Sequence, residues 1–223
     1  MRKGFFLAFA FCVAAAVNAQ DHQALRDSLA VAADRLSFYP DSVDLRLRKA
    51  GFNLQLEQWQ YAKDEYDYVL KRHPNNIAAL YFRAYVNEKL NRLHFAKLDY
   101  EGVLSLIPNH FEARLGLSLL SQKMGRTTDA LNQINLLVEQ HPDSAIAYAA
   151  RAGIEVERNL YGLAEGDFTE AIIRDGRNVD YILNRAVVRI HLKRKEEAKE
   201  DLERLVALGI SRYALSEYFS ACK

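Results

Sequence analysis

Four prolines decide most of what this chain can become. Pro40, Pro74, Pro108 and Pro142 are the only prolines in 223 residues, and each stands 34 residues from the next. Proline has no amide hydrogen and its ring clashes with the preceding turn, so each one marks the end of a helix. Polar residues follow at once: Asn75 and Asn76, Asn109, Asp143 and Ser144. Their side chains are suited to cap the next helix. The chain is thus written in units of one length. The register continues through Gly176 and Ile210 without proline, which gives five copies.

Counting back from these six anchors sorts the rest into columns. Twelve residues before the last five anchors stand Ala62, Ala96, Ala130, Ala164 and Ala198, and 24 before them Ala50, Ala84, Ser118, Ala152 and Ala186. Small side chains in fixed places let two helix axes approach closely. Eight before the anchor come Tyr66, Tyr100, Ile134, Phe168 and Leu202, and five before it Val69, Val103, Leu137, Ala171 and Leu205. Apolar positions three and four apart line one face of a helix. Between the halves lie turn formers, Asn91, Gly125 and Asn159. Each unit therefore reads as a helical hairpin.

Two charged columns test the hairpin independently. Lys49, Arg83, Leu117, Arg151 and Arg185 lie on the first arm, and Glu65, Asp99, Gln133, Asp167 and Asp201 on the second. Both columns sit eight residues from the turn, so antiparallel arms bring them side by side. Where the first is basic the second is acidic, and the one unit without the base, at Leu117, also lacks the acid. If exposed, each pair contributes no more than about 1 kcal/mol; if shielded, it acts more as a registry device.

These columns, at this period, resemble the tetratricopeptide repeat family over about Val43 to Arg212. The resemblance implies an all-α fold, a right-handed α-α superhelix of about five helix-turn-helix repeats with flanking terminal helices. The expected repeats occupy 43–76, 77–110, 111–144, 145–178 and 179–212. Residues 20–42 read as an N-terminal helix forming the back half of a degenerate unit. Ser211 to Lys223 carries Tyr213, Leu215, Tyr218 and Phe219 and reads as a final helix, set at 213–223 in the repeat register, that covers the end of the stack.

The first 19 residues read differently. Arg2 and Lys3 precede an apolar run, Gly4 to Val17, and Val17 and Ala19 offer small residues at the positions a signal peptidase reads. The run falls short of the roughly 20 residues that cross a bilayer. We expect a secretory signal cut after Ala19, an uncleaved N-terminal anchor being the alternative, hence an exported protein, periplasmic or secreted, with no membrane span after cleavage. Losing Arg2 and Lys3 takes the formal net charge from +1 to −1. The one short basic run left is Lys193 to Lys195, so nucleic acid is not the expected partner. Cys222 is the one cysteine remaining and is read as an unpaired bystander.

No catalytic constellation emerges. His73 and His141 share a column two units apart, too far to share a metal when stacked helices lie roughly 8–10 Å apart. No Gly-rich phosphate loop, nucleophile elbow or cysteine-histidine cluster appears. We expect no enzyme, metal or cofactor. By the resemblance, the groove positions lie 27, 23 and 20 residues before each anchor: Leu47, Gly51 and Leu54; Tyr81, Tyr85 and Glu88; Leu115, Leu119 and Gln122; Ala149, Gly153 and Val156; Leu183, Val187 and Ile190. Family members that clamp a peptide carboxylate carry lysine and asparagine in the first two columns, and this chain has neither. The wall is apolar and aromatic, which suits an amphipathic helix or an extended apolar segment of a protein or peptide partner. The protein's own C-terminal helix is the other candidate occupant. The expected role is an interaction scaffold; the alternative is a structural protein that self-assembles into homo-oligomers or serves as an accessory subunit of an envelope complex.

Overall fold

In the computed structural model of the chain, residues 19–223 are described, with side chains from His22 onward. The expected signal segment lies outside the described residues except for Ala19. Among the described residues there are helices, turns and no strand. The helices are α1 (Ala19–Phe38), α2 (Val43–Gln55), α3 (Trp59–Arg72), α4 (Ile77–Lys89), α5 (Leu93–Leu106) and α6 (Phe111–Lys123). They continue as α7 (Thr127–Gln140), α8 (Ala145–Glu157), α9 (Tyr161–Arg174), α10 (Val179–His191), α11 (Lys195–Ala207) and α12 (Ser216–Ala221). Helix starts at Val43, Ile77, Phe111, Ala145 and Val179 keep the 34-residue spacing of the anchors. None of the described helices is long and apolar enough to cross a membrane.

Local signals explain where helices begin. Ser42, Asn76, Ser144 and Asn178 each accept a hydrogen bond from an amide of the first turn, which satisfies donors that a helix end otherwise leaves open. At α6 the cap is His110, whose Nδ1 accepts from the Ala113 amide at 3.3 Å, rather than the expected Asn109. The turns within hairpins all use a left-handed residue: Glu57, Asn91, Gly125, Asn159 and Lys193 have φ between +56° and +73°. Sequence reading found the glycine and the asparagines but not Glu57 and Lys193, residues with no preference for that region.

The chain forms two compact units, one running to Leu120 and the other from Ser121. In the first, α1 packs on α2, α2 pairs with α3, α3 packs on α4, and α4 pairs with α5. Ala50, Ala62, Ala84 and Ala96 have no exposed surface, and Tyr66, Val69, Tyr100 and Val103 fill the space beside them. Tyr100 also meets α6 through Gly116.

In the second unit α7 packs on α8, α8 pairs with α9, α9 packs on α10, and α10 pairs with α11. Ala152, Ala164, Ala186 and Ala198 repeat the small-residue column, and Phe168, Ile182, Leu202 and Leu205 make the core. Burial of each large apolar side chain contributes about 1.5–3 kcal/mol. The C-terminal helix is shorter than the sequence reading had it: Ser216–Ala221 alone is α-helical, after turns at residues 212–215. It lies on α11. Leu215 and Cys222 are buried in the core, Tyr218 and Phe219 pack against it, and Tyr213 stays 88% exposed.

The charged columns meet as the hairpin requires. Lys49 reaches Glu65 at 2.6 Å, Arg83 reaches Asp99 at 2.5 Å, and Arg151 and Arg185 reach Asp167 and Asp201, each at 2.6 Å. The arginines also reach backward to the preceding repeat: Arg83 to Asp67, Arg151 to Asn135 and Arg185 to Thr169. A second set of arginines holds the anchors themselves. Arg46 donates to the Pro40 carbonyl, Arg114 to Pro108, Arg174 to Pro142 and Arg204 to Gly176. Each donor satisfies a carbonyl beyond a helix end, where no amide of the helix can reach.

Candidate partner-binding face

The groove positions expected from the resemblance fall four and then three residues apart, so each helix presents its set as a single stripe. In the first unit the stripes are Leu47, Gly51 and Leu54 on α2, Tyr81, Tyr85 and Glu88 on α4, and Leu115 and Leu119 on α6. All are half-buried except Leu115, which at 3% exposure belongs to the core. In the second unit Gln122 closes α6, Ala149, Gly153 and Val156 lie on α8, and Leu183, Val187 and Ile190 on α10. Ala149 is fully buried and the others are half-buried. Val156, Leu183 and Ile190 pack against the same core cluster as Tyr218 and Phe219 of the C-terminal segment.

Helix α4 carries the richest stripe. Tyr81 lies 6.0 Å from the Tyr100 ring and 5.8 Å from the His110 ring, with Phe82 edge-on at 5.2 Å. Burial pushes the Tyr81 hydroxyl up, as do the charges of Glu112 and Glu88. Tyr85 meets Trp59 edge-to-face at 6.2 Å. Lys89 holds its ammonium 5.1 Å from the Tyr85 ring centre and 5.7 Å from that of Trp59, within reach of the attraction between a cation and an aromatic face. Glu88 is already engaged, accepting from the Tyr100 hydroxyl at 2.6 Å.

The result is a half-buried aromatic surface edged by one exposed lysine. It can hold apolar or aromatic side chains and offer Tyr hydroxyls to main-chain groups, a mixture common where proteins meet. Sequence reading found Tyr81, Tyr85 and Glu88 and missed Trp59 and Lys89. Trp59 is the single tryptophan of the chain and opens the helix just after a turn, a signal that was present but unused. Among the described residues, no three His, Cys, Asp or Glu side chains gather as a metal site would need.

No family model and no curated protein matches the chain. Solved structures do. A tetratricopeptide repeat protein from Parabacteroides merdae aligns over 91% of this chain and 79% of its own, with TM-score 0.67 and 20% identity. PilF of Pseudomonas aeruginosa aligns over 90% of both chains, with TM-score 0.71 and 15% identity. YrrB, a tetratricopeptide protein with an unusual peptide-binding site, aligns over 79% of this chain and 91% of its own, with TM-score 0.61 and 16% identity. The chain thus has the tetratricopeptide repeat fold. At these identities the likeness is one of fold.

Proposed function

We propose that the protein is a non-catalytic interaction scaffold that holds an apolar segment of a protein or peptide partner against the α4 stripe. The observation that carries this is the Trp59, Tyr81 and Tyr85 cluster, which keeps aromatic surface half open beside Lys89. The peptide-binding site of YrrB, on the same fold, supports the reading. Fold alone does not assign function, so the partner is to be found directly. Crosslinking in intact cells, followed by identification of the captured protein, supplies it. Serine at both Tyr81 and Tyr85 should then abolish capture while helical circular dichroism is retained; undiminished capture would overturn the reading.

The same proposal places the protein outside the cytoplasm, on the strength of the basic-then-apolar start and the small residues at Val17 and Ala19. Fractionation and N-terminal sequencing test it, with Gln20 expected as the first residue. A chain retained at Met1 in the cytoplasm would refute it. A second reading, self-association, draws on Tyr61, Phe95 and Leu98, which are 66%, 62% and 63% exposed on α3 and α5. It requires mass that rises with concentration in light scattering and falls when these three are made polar.

A further inference from the structure

One interior column separates the repeats chemically. Twenty-one residues before the anchors stand Asn53, Asn87, Ser121, Glu155 and Arg189. In two of the repeats the side chain at this position donates to the acid on the hairpin's second arm. Asn87 donates to Asp99 at 3.1 Å, and Arg189 donates to Asp201 at 2.8 Å. Glu155 has no N–H to donate. It is 7% exposed, its Oε2 has no hydrogen-bond partner, and it lies beside Asp167, itself 7% exposed. Two carboxylates in such a place cannot both be charged without a large penalty.

We propose that Glu155 keeps its proton and shares it with Asp167 in a hydrogen bond, which makes the α8–α9 hairpin a pH-responsive joint that loosens when that proton is lost. The surrounding charges other than Arg151 have partners of their own or are exposed. Asp167 is held by Arg151 of α8, through Nε at 2.6 Å and Nη2 at 2.7 Å. The remaining charges of α9 have other partners: Glu165 with Arg189 and Arg194, and Glu170 with Arg174. From α7, Asp129 and Glu139 are exposed, and neutral Asn135 accepts from Arg151.

Burial first, then the charge of Asp167, push the Glu155 carboxyl up to about 7, with Arg151 pulling the other way. A carboxyl raised on folding stabilises below its ordinary range and loses that contribution as the pH climbs through the folded value. Val156, the next residue of α8, belongs to the candidate face.

Thermal melts of the full chain near pH 6 and pH 8 test this, since about two units span the transition. The natural chain should lose several degrees between the two, while Glu155→Gln, whose amide donates at any pH, should lose little. Equal losses would overturn the proposal. If the glutamine chain does not fold, carboxyl-carbon NMR of the natural chain decides. A Glu155 midpoint near neutral supports the proposal, and one in the ordinary carboxylate range refutes it.

Discussion

The phenol ring of Tyr100 occupies the space where a β-carbon on Gly116 would stand. Its Cζ would lie 2.6 Å from such an atom, and its Cε1 and hydroxyl oxygen 2.9 Å away. The ring cannot swing clear, because it is 3% exposed and its hydroxyl is tied to Glu88. Gly116→Ala should therefore destabilise the chain by about 1–3 kcal/mol, the usual cost of overpacking a core. Urea denaturation followed by circular dichroism measures it. A loss below about 0.5 kcal/mol would mean that the ring repacks freely.

Arg83 is the register arginine that bridges two carboxylates, with Asp99 ahead of it and Asp67 behind. Asp99 is 4% exposed, so removing the guanidinium strands a buried carboxylate. Arg83→Leu should cost about 3 kcal/mol, as breaking a shielded pair from one side does. Adding Asp99→Gln, which copies Leu117 and Gln133, should recover most of that loss. The surface pair of Arg48 and Asp44, both more than half exposed, provides the control. Its removal should change stability by less than about 0.5 kcal/mol.

What the sequence made legible and what it hid differ in physical kind. Ala62, Ala96, Ala130, Ala164 and Ala198 could be read because close helix crossings demand the same residue in every copy, and all five are fully buried. The forward ion pairs could be read for the same reason, including the joint change at Leu117 and Gln133. Contacts that occur once were invisible. Gly116 yields to a particular tyrosine, Trp59 meets a particular Tyr85, and Glu155 replaces a donor with an acid. The backward reach of Arg83 to Asp67 was hidden because its partner column changes identity, becoming asparagine at 135 and threonine at 169. The groove stripes came from family resemblance, and periodicity alone does not separate a half-open stripe from core, as Leu115 and Ala149 illustrate.

Glu57 and Lys193 sit at the hairpin turns with φ of +56° and +62°, where other repeats use asparagine or glycine. An L-residue with a β-carbon gives up about 1–2 kcal/mol in that region. Glu57 is exposed, so its side chain makes little packing contact. Glu57→Gly should raise stability by up to about 1 kcal/mol, part of the relief being offset by the greater freedom of unfolded glycine. A higher midpoint in thermal denaturation checks it. A lower midpoint would show that the turn is not strained.

Asp67 and Glu155 should pull the stability curve in opposite directions. Burial would raise Asp67, yet the hydrogen bonds and charges of Lys63 and Arg83 outweigh it and hold the carboxyl below its usual range. A carboxyl depressed on folding stabilises above its unfolded pKa and loses that contribution as the pH falls through its folded value. The Asp67 contribution is therefore complete at neutral pH and disappears in acid, below about pH 4. The Glu155 contribution runs the other way. Asp67→Asn should lower the melting temperature at neutral pH yet flatten the acid limb of the melting curve, leaving the decline between about pH 4.5 and 7 as it was. Glu155→Gln should do the reverse. If Asp67→Asn left the acid limb unchanged, the bridge from Arg83 to Asp67 would not be formed in solution.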